Sequence, residues 1–165
     1  MSQETAVAAG KPVAVARFEE HLDRATDEVF STMMGVSCAP AASESAADRG
    51  SISAVIGLAG TLSGSLVLHT SGAAAMRIAE RMTGIPPEEV DGMVRDAVGE
   101  VCNMVAGAWK GFDPALASGC LLSTPTVVAG SSYELFSQRA PIRLERSYRF
   151  EEMTLVITIS CELYA

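Results

Sequence analysis

The residue types best suited to chemistry fall in one short segment, DAVGEVCNMVAG, which runs from Asp96 to Gly107. Within it Glu100 and Asn103 follow Asp96 at steps of four and three, and Gly107 comes four residues later. In an α-helix this spacing places the four residues above one another on a single face. A carboxylate forms charge-assisted hydrogen bonds and a carboxamide both donates and accepts them, so such a face is equipped to bind a charged group and a water. Taken alone, a Glu and an Asn three residues apart are more often a plain solvated surface.

The helix that would carry this face is predicted over residues 88–110. Its opposite side is apolar at core spacing, with Val94, Val98, Val101, Val105 and Ala108. Gly99 and Gly107 each cost about 1 kcal/mol relative to alanine in a helix interior. They also leave room for another backbone to approach Glu100 and Asn103. A helix selected for stability alone would carry other residues there, which favours a binding surface.

The composition restricts which partners and reactions fit. The chain has 165 residues, of which 48% are apolar, and this suffices for one domain with a sizeable core. A net charge of −8 argues against binding to nucleic acid or to an anionic membrane. The chain has two histidines, His21 and His69, so much ordinary acid–base chemistry lacks its usual residues.

The four cysteines are predicted to be reduced thiols that serve as small core residues. They are Cys38, Cys102, Cys120 and Cys161. No two have C-x-x-C spacing and no histidine lies near any of them, which argues against a zinc site. Two disulfides in a secreted protein are the alternative, but residues 1–10 lack the pattern of a signal peptide. Since no run of about 18 apolar residues is present either, we expect a soluble, cytoplasmic protein.

Periodicity and turn residues divide the chain into helical and extended segments. We predict a flexible tail over residues 1–15 and a single domain over 16–165. The other predicted elements are a helix over 18–34, a mobile loop over 39–50, a hairpin over 52–58 and 62–69, a short helix over 72–82, and strands over 121–128, 141–148 and 153–163. The last strand alternates between polar and apolar residues, which indicates a sheet with one buried face.

A faint internal repeat relates the two halves of the chain at an offset of 72 residues, from Glu28 to Glu100. Residues 28–35 align with residues 100–107, and Val55–Ile56 align with Val127–Val128. This pattern indicates two related helix–strand–strand halves packed about a pseudo-two-fold axis. The matched residues are common types, so a chance match is the alternative.

The stripe and its surroundings resemble a known family. Asp96-x-x-x-Glu100-x-x-Asn103-x-x-x-Gly107 is similar to the signature of the CheC/CheX/FliY chemotaxis phosphatases. The flanking order also resembles a CheX-like member, with a helix that ends in VFSTMMG, a hairpin, and the block LSGSLVLHTSGAAAMRIAERMTG before the signature. The resemblance extends from about Phe18 to Tyr164. It implies an α+β, CheC-like fold in which long helices pack on a mostly antiparallel sheet, and hydrolysis of phospho-aspartate on a CheY-like response regulator of two-component signalling.

The resemblance also implies a role for each residue of the signature. Asn103 would enter the partner's active site and position the attacking water, and Glu100 would anchor the complex through a lysine of the partner. Asp96, Gly99 and Gly107 would belong to the partner-binding surface. The protein would need no metal or cofactor of its own, because Mg²⁺ would sit on the phosphorylated receiver.

The first half carries an incomplete copy of the signature, with Glu28, then Ser31 in place of an asparagine, then Gly35. Serine is shorter and lacks the amide group, so we predict one active face and one lapsed copy, as in a CheX-like member. The resemblance further implies a homodimer joined through sheet edges. Residues 153–163 would be the edge strand, and a central place for that strand is the alternative. A non-catalytic binding or scaffold module of the same fold is the alternative function.

Overall fold

The computed structural model describes residues 13–42, 52–135 and 140–164. The helices are α1 Val13–Met34, α2 Gly72–Thr83, α3 Gly92–Gly111 and α4 Pro114–Gly119. The strands are β1 Ala39–Pro40, β2 Ile52–Gly60, β3 Leu62–Thr70, β4 Cys120–Leu122, β5 Thr126–Ala129, β6 Ile142–Phe150 and β7 Met153–Leu163. The expected α+β architecture is confirmed, because the helices pack on a sheet whose described pairings are all antiparallel.

The sheet consists of two hairpins joined at its centre. Its strand order is β1-β6-β7-β3-β2-β4, and β5 also pairs with β2. The β2–β3 and β6–β7 hairpins meet where β3 pairs with β7, from Leu62 opposite Leu163 to Thr70 opposite Leu155. Of the two places predicted for residues 153–163, the edge is therefore wrong and the central place is confirmed. This strand is central, since it is hydrogen-bonded on both sides.

The two halves also meet through α1 and α3, which pack side by side on the sheet. The Trp109 ring stacks edge-on against Phe18 at 5.2 Å between centroids, and its Nε1 donates a hydrogen bond to the Phe18 carbonyl at 3.2 Å. The strand alignment proposed from the repeat is wrong, however. Val127 belongs to β5 and pairs with Ala54 of β2, so it lies beside that strand and is not its counterpart.

The central position of β7 changes the expected alternation of exposure. Its apolar side is buried from Leu155 to Cys161, as predicted, whereas Leu163 at its end is exposed. Thr158 and Ser160 point to the opposite side, yet each is 6% exposed. The reason is that side chains of β6 lie across them: Thr158 Oγ1 donates to Glu145 Oε2 at 3.4 Å, and Arg143 Nη1 donates to Ser160 Oγ at 3.3 Å.

Several predicted boundaries require correction. Helix α1 begins at Val13, so the last three residues of the predicted 1–15 tail are helical. The first two residues of the predicted 39–50 loop form β1, whereas residues 43–50 lie outside the described ranges. Helix α3 begins at Gly92, not at residue 88, because the Asp91 carboxylate accepts the Val94 N–H at 3.0 Å and caps the helix there.

The predicted strand over residues 121–128 is divided into β4 and β5. Pro125 lies between them and has no N–H to donate to a ladder, so it interrupts the pairing with β2. The six-residue helix α4 was not predicted. It is capped by Asp113, whose carboxylate accepts the Ala115 N–H at 3.0 Å, and it begins with Pro114.

Candidate functional site

Helix α3 presents the predicted stripe on its outer side. Trp109 is fully buried and anchors the helix on α1. On the opposite face Asp96 and Glu100 are exposed, and Asn103 and Gly107 are half-buried. The structure therefore brings together the four stripe residues on one helix, as their spacing predicts.

The polar groups of the stripe are not used by the fold. Within the described ranges the side chains of Asp96, Glu100 and Asn103 make no hydrogen bond or ion pair. Other carboxylates do: Asp23 binds Arg146 and Tyr148, and Glu151 binds Arg77 and Arg81. The hydrogen-bonding capacity of the stripe is therefore available to another molecule.

The two glycines of α3 lie in different surroundings. A Cβ built on Gly107 would meet no atom within 4 Å, so the clearance predicted at this position is real. A Cβ on Gly99 would lie 3.2 Å from Val127 Cγ2 and 3.6 Å from Pro125 Cβ. Gly99 is buried under these two residues, and its clearance serves packing within the chain. A contact of Gly99 with a partner would have to be made through Pro125 and Val127.

The bend that carries Pro125 is fixed by a serine that the sequence analysis did not single out. Ser123 Oγ accepts the Gly57 N–H at 2.8 Å and donates to the Thr124 carbonyl at 2.9 Å. The Ser123 N–H donates to the Gly57 carbonyl at 2.9 Å. Pro125 is thereby held against Gly99, one turn of α3 before Asn103. The proline inside a β-type run was the available signal for this bend.

Lys110 fixes a neighbouring part of the same side of α3. Its Nζ donates to the carbonyl of Cys120 at 2.7 Å and to that of Ala117 at 3.2 Å. These bonds hold α4 and the beginning of β4 against the end of α3. Lys110 is therefore a structural residue rather than a freely solvated charge.

Cys102 lies between Glu100 and Asn103 in the sequence but points into the core. It is fully buried, and its Sγ lies 3.6 Å from the carbonyl oxygen of Ala54. Burial raises the pKa of this thiol to about 12, so the thiol stays protonated at neutral pH. Cys102 is thus unsuited to act as a nucleophile beside the stripe.

The other candidate chemistry lies elsewhere in the fold. His69 Nδ1 lies 2.8 Å from Ser53 Oγ, which lies 2.7 Å from the Tyr133 hydroxyl.

The described residues contain no cluster of three or more His, Cys, Asp or Glu residues that could hold a metal ion. In the same ranges, no helix has the length and apolar character needed to cross a membrane.

The first-half copy of the stripe differs in backbone as well as in sequence. Gly35 has a φ of 67° and ends α1, whereas Gly107 lies inside α3. The segment after Gly35 folds back on α1, where the Asp27 carboxylate accepts the Cys38 N–H at 3.0 Å. Ser31 Oγ makes a long contact of 3.5 Å with the Val36 carbonyl oxygen. The two helices therefore do not present equivalent faces.

Comparison with known proteins adds a family and a set of similar folds. The family model described as "Chemotaxis phosphatase CheX" matches residues 52–144. The chemotaxis protein CheX of Vibrio vulnificus has 25% sequence identity and a TM-score of 0.76, with 88% of this chain and 96% of that chain covered. A CheC-like superfamily protein from Shewanella sp. PV-4 has 26% identity and a TM-score of 0.73, with coverage of 88% and 97%.

A more distant match shares the fold. It is the CheX of Borrelia burgdorferi, solved as a CheX-CheY-BeF₃-Mg²⁺ complex, with 18% identity and a TM-score of 0.70 over 88% of this chain and 97% of that chain. No curated protein matches the chain.

Proposed function

Because the chain belongs to the CheX family of chemotaxis phosphatases, we propose that it hydrolyses the phospho-aspartate of a CheY-like receiver. The observation that carries this proposal is the stripe on the outer side of α3, whose Glu100 and Asn103 have no partner within the described residues. The CheX of Borrelia burgdorferi, which has the same fold, was solved with CheY, BeF₃ and Mg²⁺. We extend that kind of partner to this chain, and we place the protein in the cytoplasm with it.

Asn103 is the residue that would act at the reacting phosphorus. Its carboxamide accepts a hydrogen bond through oxygen and donates through nitrogen, so it can hold a water in one orientation. The water oxygen forms a bond to phosphorus while the bond from phosphorus to the aspartate oxygen breaks. Inorganic phosphate and a free carboxylate result. Such a reaction depends chiefly on positioning and on charge neutralisation, and Mg²⁺ on the receiver would supply much of the latter.

Glu100 would hold the receiver in place. It is exposed on the same face of α3, three residues before Asn103. A carboxylate there can accept a charge-assisted hydrogen bond from a lysine beside the phospho-aspartate. Asp96, one turn earlier, would add to the negative potential that attracts this lysine.

One experiment tests the proposed function. A CheY-like receiver phosphorylated in the presence of Mg²⁺ is mixed with the protein, and phosphate release is followed over time. We expect release to be faster than from the receiver alone and to rise with protein concentration until it saturates. If the protein binds the receiver but release stays at the receiver's own rate, the chain is a binding module and not a phosphatase.

Gly107→Ala is expected to raise stability and weaken receiver binding. A methyl group there meets no atom within 4 Å, so the helix gains about 1 kcal/mol, while the surface loses the clearance that an approaching receiver needs. Thermal unfolding and a binding titration measure the two effects. Gly111→Ala is the matched control, because it also adds a methyl group into open space at the end of α3. Unchanged receiver binding by Gly107→Ala would contradict a role for this clearance.

We also propose that the chain forms a homodimer through the outer edge of β6. In the described ranges β1 covers Arg149 and Tyr148 of this edge, and the Ala41 N–H donates to the Ser147 carbonyl at 2.9 Å. The remaining part contains Arg143, Leu144 and Glu145. If Leu144 pairs with its own copy, Arg143 lies opposite Glu145 of the partner subunit, and this ion pair occurs twice.

The charge pattern of β6 gives a test of the dimer. We expect light scattering to give about 34 kDa, twice the chain mass of 17.2 kDa. Within one chain Arg143 Nη2 also lies 3.4 Å from Glu145 Oε2. Arg143→Glu therefore places like charges both across the two-fold axis and beside Glu145 in the same chain, and it should shift the mass toward that of one chain. The double variant Arg143→Glu/Glu145→Arg restores opposite charges and should restore the dimer. A monomeric wild-type protein would exclude pairing through this edge.

A further inference from the structure

Two methionines bracket the Glu100–Asn103 pair on the outer side of α3. Met93 precedes Glu100 by seven residues and Met104 follows it by four, so both lie on its side of the helix. Both are half-buried, and Met104 packs part of its surface against the core. The remaining surface of each side chain faces outward beside the polar stripe.

This composition differs from that of a solvated helix face. A face that meets only water is usually occupied by charged and polar residues. Here apolar, flexible side chains flank carboxylates and a carboxamide that have no partner in the described part of the chain. Protein interfaces are enriched in methionine, whose unbranched thioether adapts to the shape of the partner surface.

The spacing of the two methionines fits the footprint of one protein partner. They are eleven residues apart in the sequence, which corresponds to about 16 Å along a helix. A standard interface covers about 800 Å² on each partner, which is wide enough to include both. A receiver lysine placed on Glu100 would therefore bring the receiver surface over Met93 and Met104 as well.

We propose that Met93 and Met104 are direct contacts for the receiver, and that they pack on apolar surface beside its phospho-aspartate. This inference rests on the proposed function and names the apolar part of the same docking surface. Glu100 then provides the charged contact, Asn103 acts on the water, and the methionines provide contact area that excludes solvent.

The test is a binding titration with a CheY-like receiver loaded with beryllofluoride and Mg²⁺. We expect Met93→Gln/Met104→Gln to raise the dissociation constant about tenfold, equal to about 1.4 kcal/mol. Met104→Leu keeps the apolar surface and should stay within about twofold of wild type. Met82→Gln is the matched control, because Met82 is also half-buried against the core but lies on α2. Circular dichroism of each variant reports whether the fold is retained.

The outcomes separate this proposal from the proposed function. If wild type binds the receiver and releases phosphate while the double glutamine variant binds equally well, the methionine contacts are excluded but phosphatase activity is supported. If wild-type binding depends on the methionines and no phosphate is released, the contacts are supported but phosphatase activity is excluded. A double variant that binds normally but loses turnover would also overturn the proposal, since these contacts should change KM and leave kcat within about twofold.

Discussion

Asn103→Ala should slow phosphate release from a saturating receiver by about 100-fold or more, since misplacing a reactant by about 1 Å has a cost of that order. The alanine side chain cannot hold the attacking water. Among the described residues, no side chain is hydrogen-bonded to Asn103 and placed to take over its role. Because Asn103 is half-buried on an otherwise well-packed helix, the fold should persist. Phosphate release at several receiver concentrations measures kcat and KM separately, and the loss should fall on kcat.

The matched control for this variant is Ser31→Ala. Ser31 occupies the aligned position on α1, is exposed, and makes one long contact with the Val36 carbonyl oxygen. We expect wild-type phosphate release. If Asn103→Ala is as active as wild type, Asn103 does not position the water. If Ser31→Ala loses activity instead, the active face lies on α1 and not on α3.

Glu100→Ala should raise the dissociation constant of the receiver by about 10- to 100-fold, because a hydrogen bond to a charged group contributes about 1.5–3 kcal/mol. The effect should weaken as ionic strength rises, since Glu100 is exposed and its charge is screened. A titration of beryllofluoride-loaded receiver at two salt concentrations measures both effects. Unlike Asn103→Ala, this variant should recover much of its turnover at high receiver concentration.

Glu28→Ala supplies the control for charge. Glu28 is exposed at the position on α1 that aligns with Glu100, so its removal changes the net charge equally without touching the α3 stripe. We expect unchanged receiver affinity. Equal losses for the two variants would indicate a general effect of charge, and an unchanged dissociation constant for Glu100→Ala would exclude Glu100 as the anchor.

The stripe could be predicted from the sequence because it depends on one continuous helix. Over twelve residues the helical period decides which side chains share a face, and the apolar back of α3 decides which face is buried. The burial of Gly99 could not be predicted in this way. It depends on Pro125, which is 26 residues away in the sequence and is brought to α3 by the bend at Ser123.

The place of β7 in the sheet depends on contacts that are more distant still. Leu163 pairs with Leu62, about 100 residues earlier. An alternating polar and apolar sequence fits an edge strand and a central strand equally well, so the pattern alone could not decide between them. The break between β4 and β5 had a local signal in Pro125, and α4 had one in the Asp113–Pro114 pair. Six residues are too few for apolar periodicity to reveal α4.

A structure of the complex with a beryllofluoride-loaded, Mg²⁺-bound receiver would show directly whether Asn103 reaches the phosphorylation site. We expect α3 to face the receiver's active site, with the Asn103 carboxamide within hydrogen-bonding distance of a fluoride of beryllofluoride, or of a water in line with the bond from beryllium to the aspartate oxygen. We also expect the Glu100 carboxylate to contact a receiver lysine. A complex in which α1 faces the phosphorylation site, or in which Asn103 remains in solvent away from the beryllofluoride, would contradict the account.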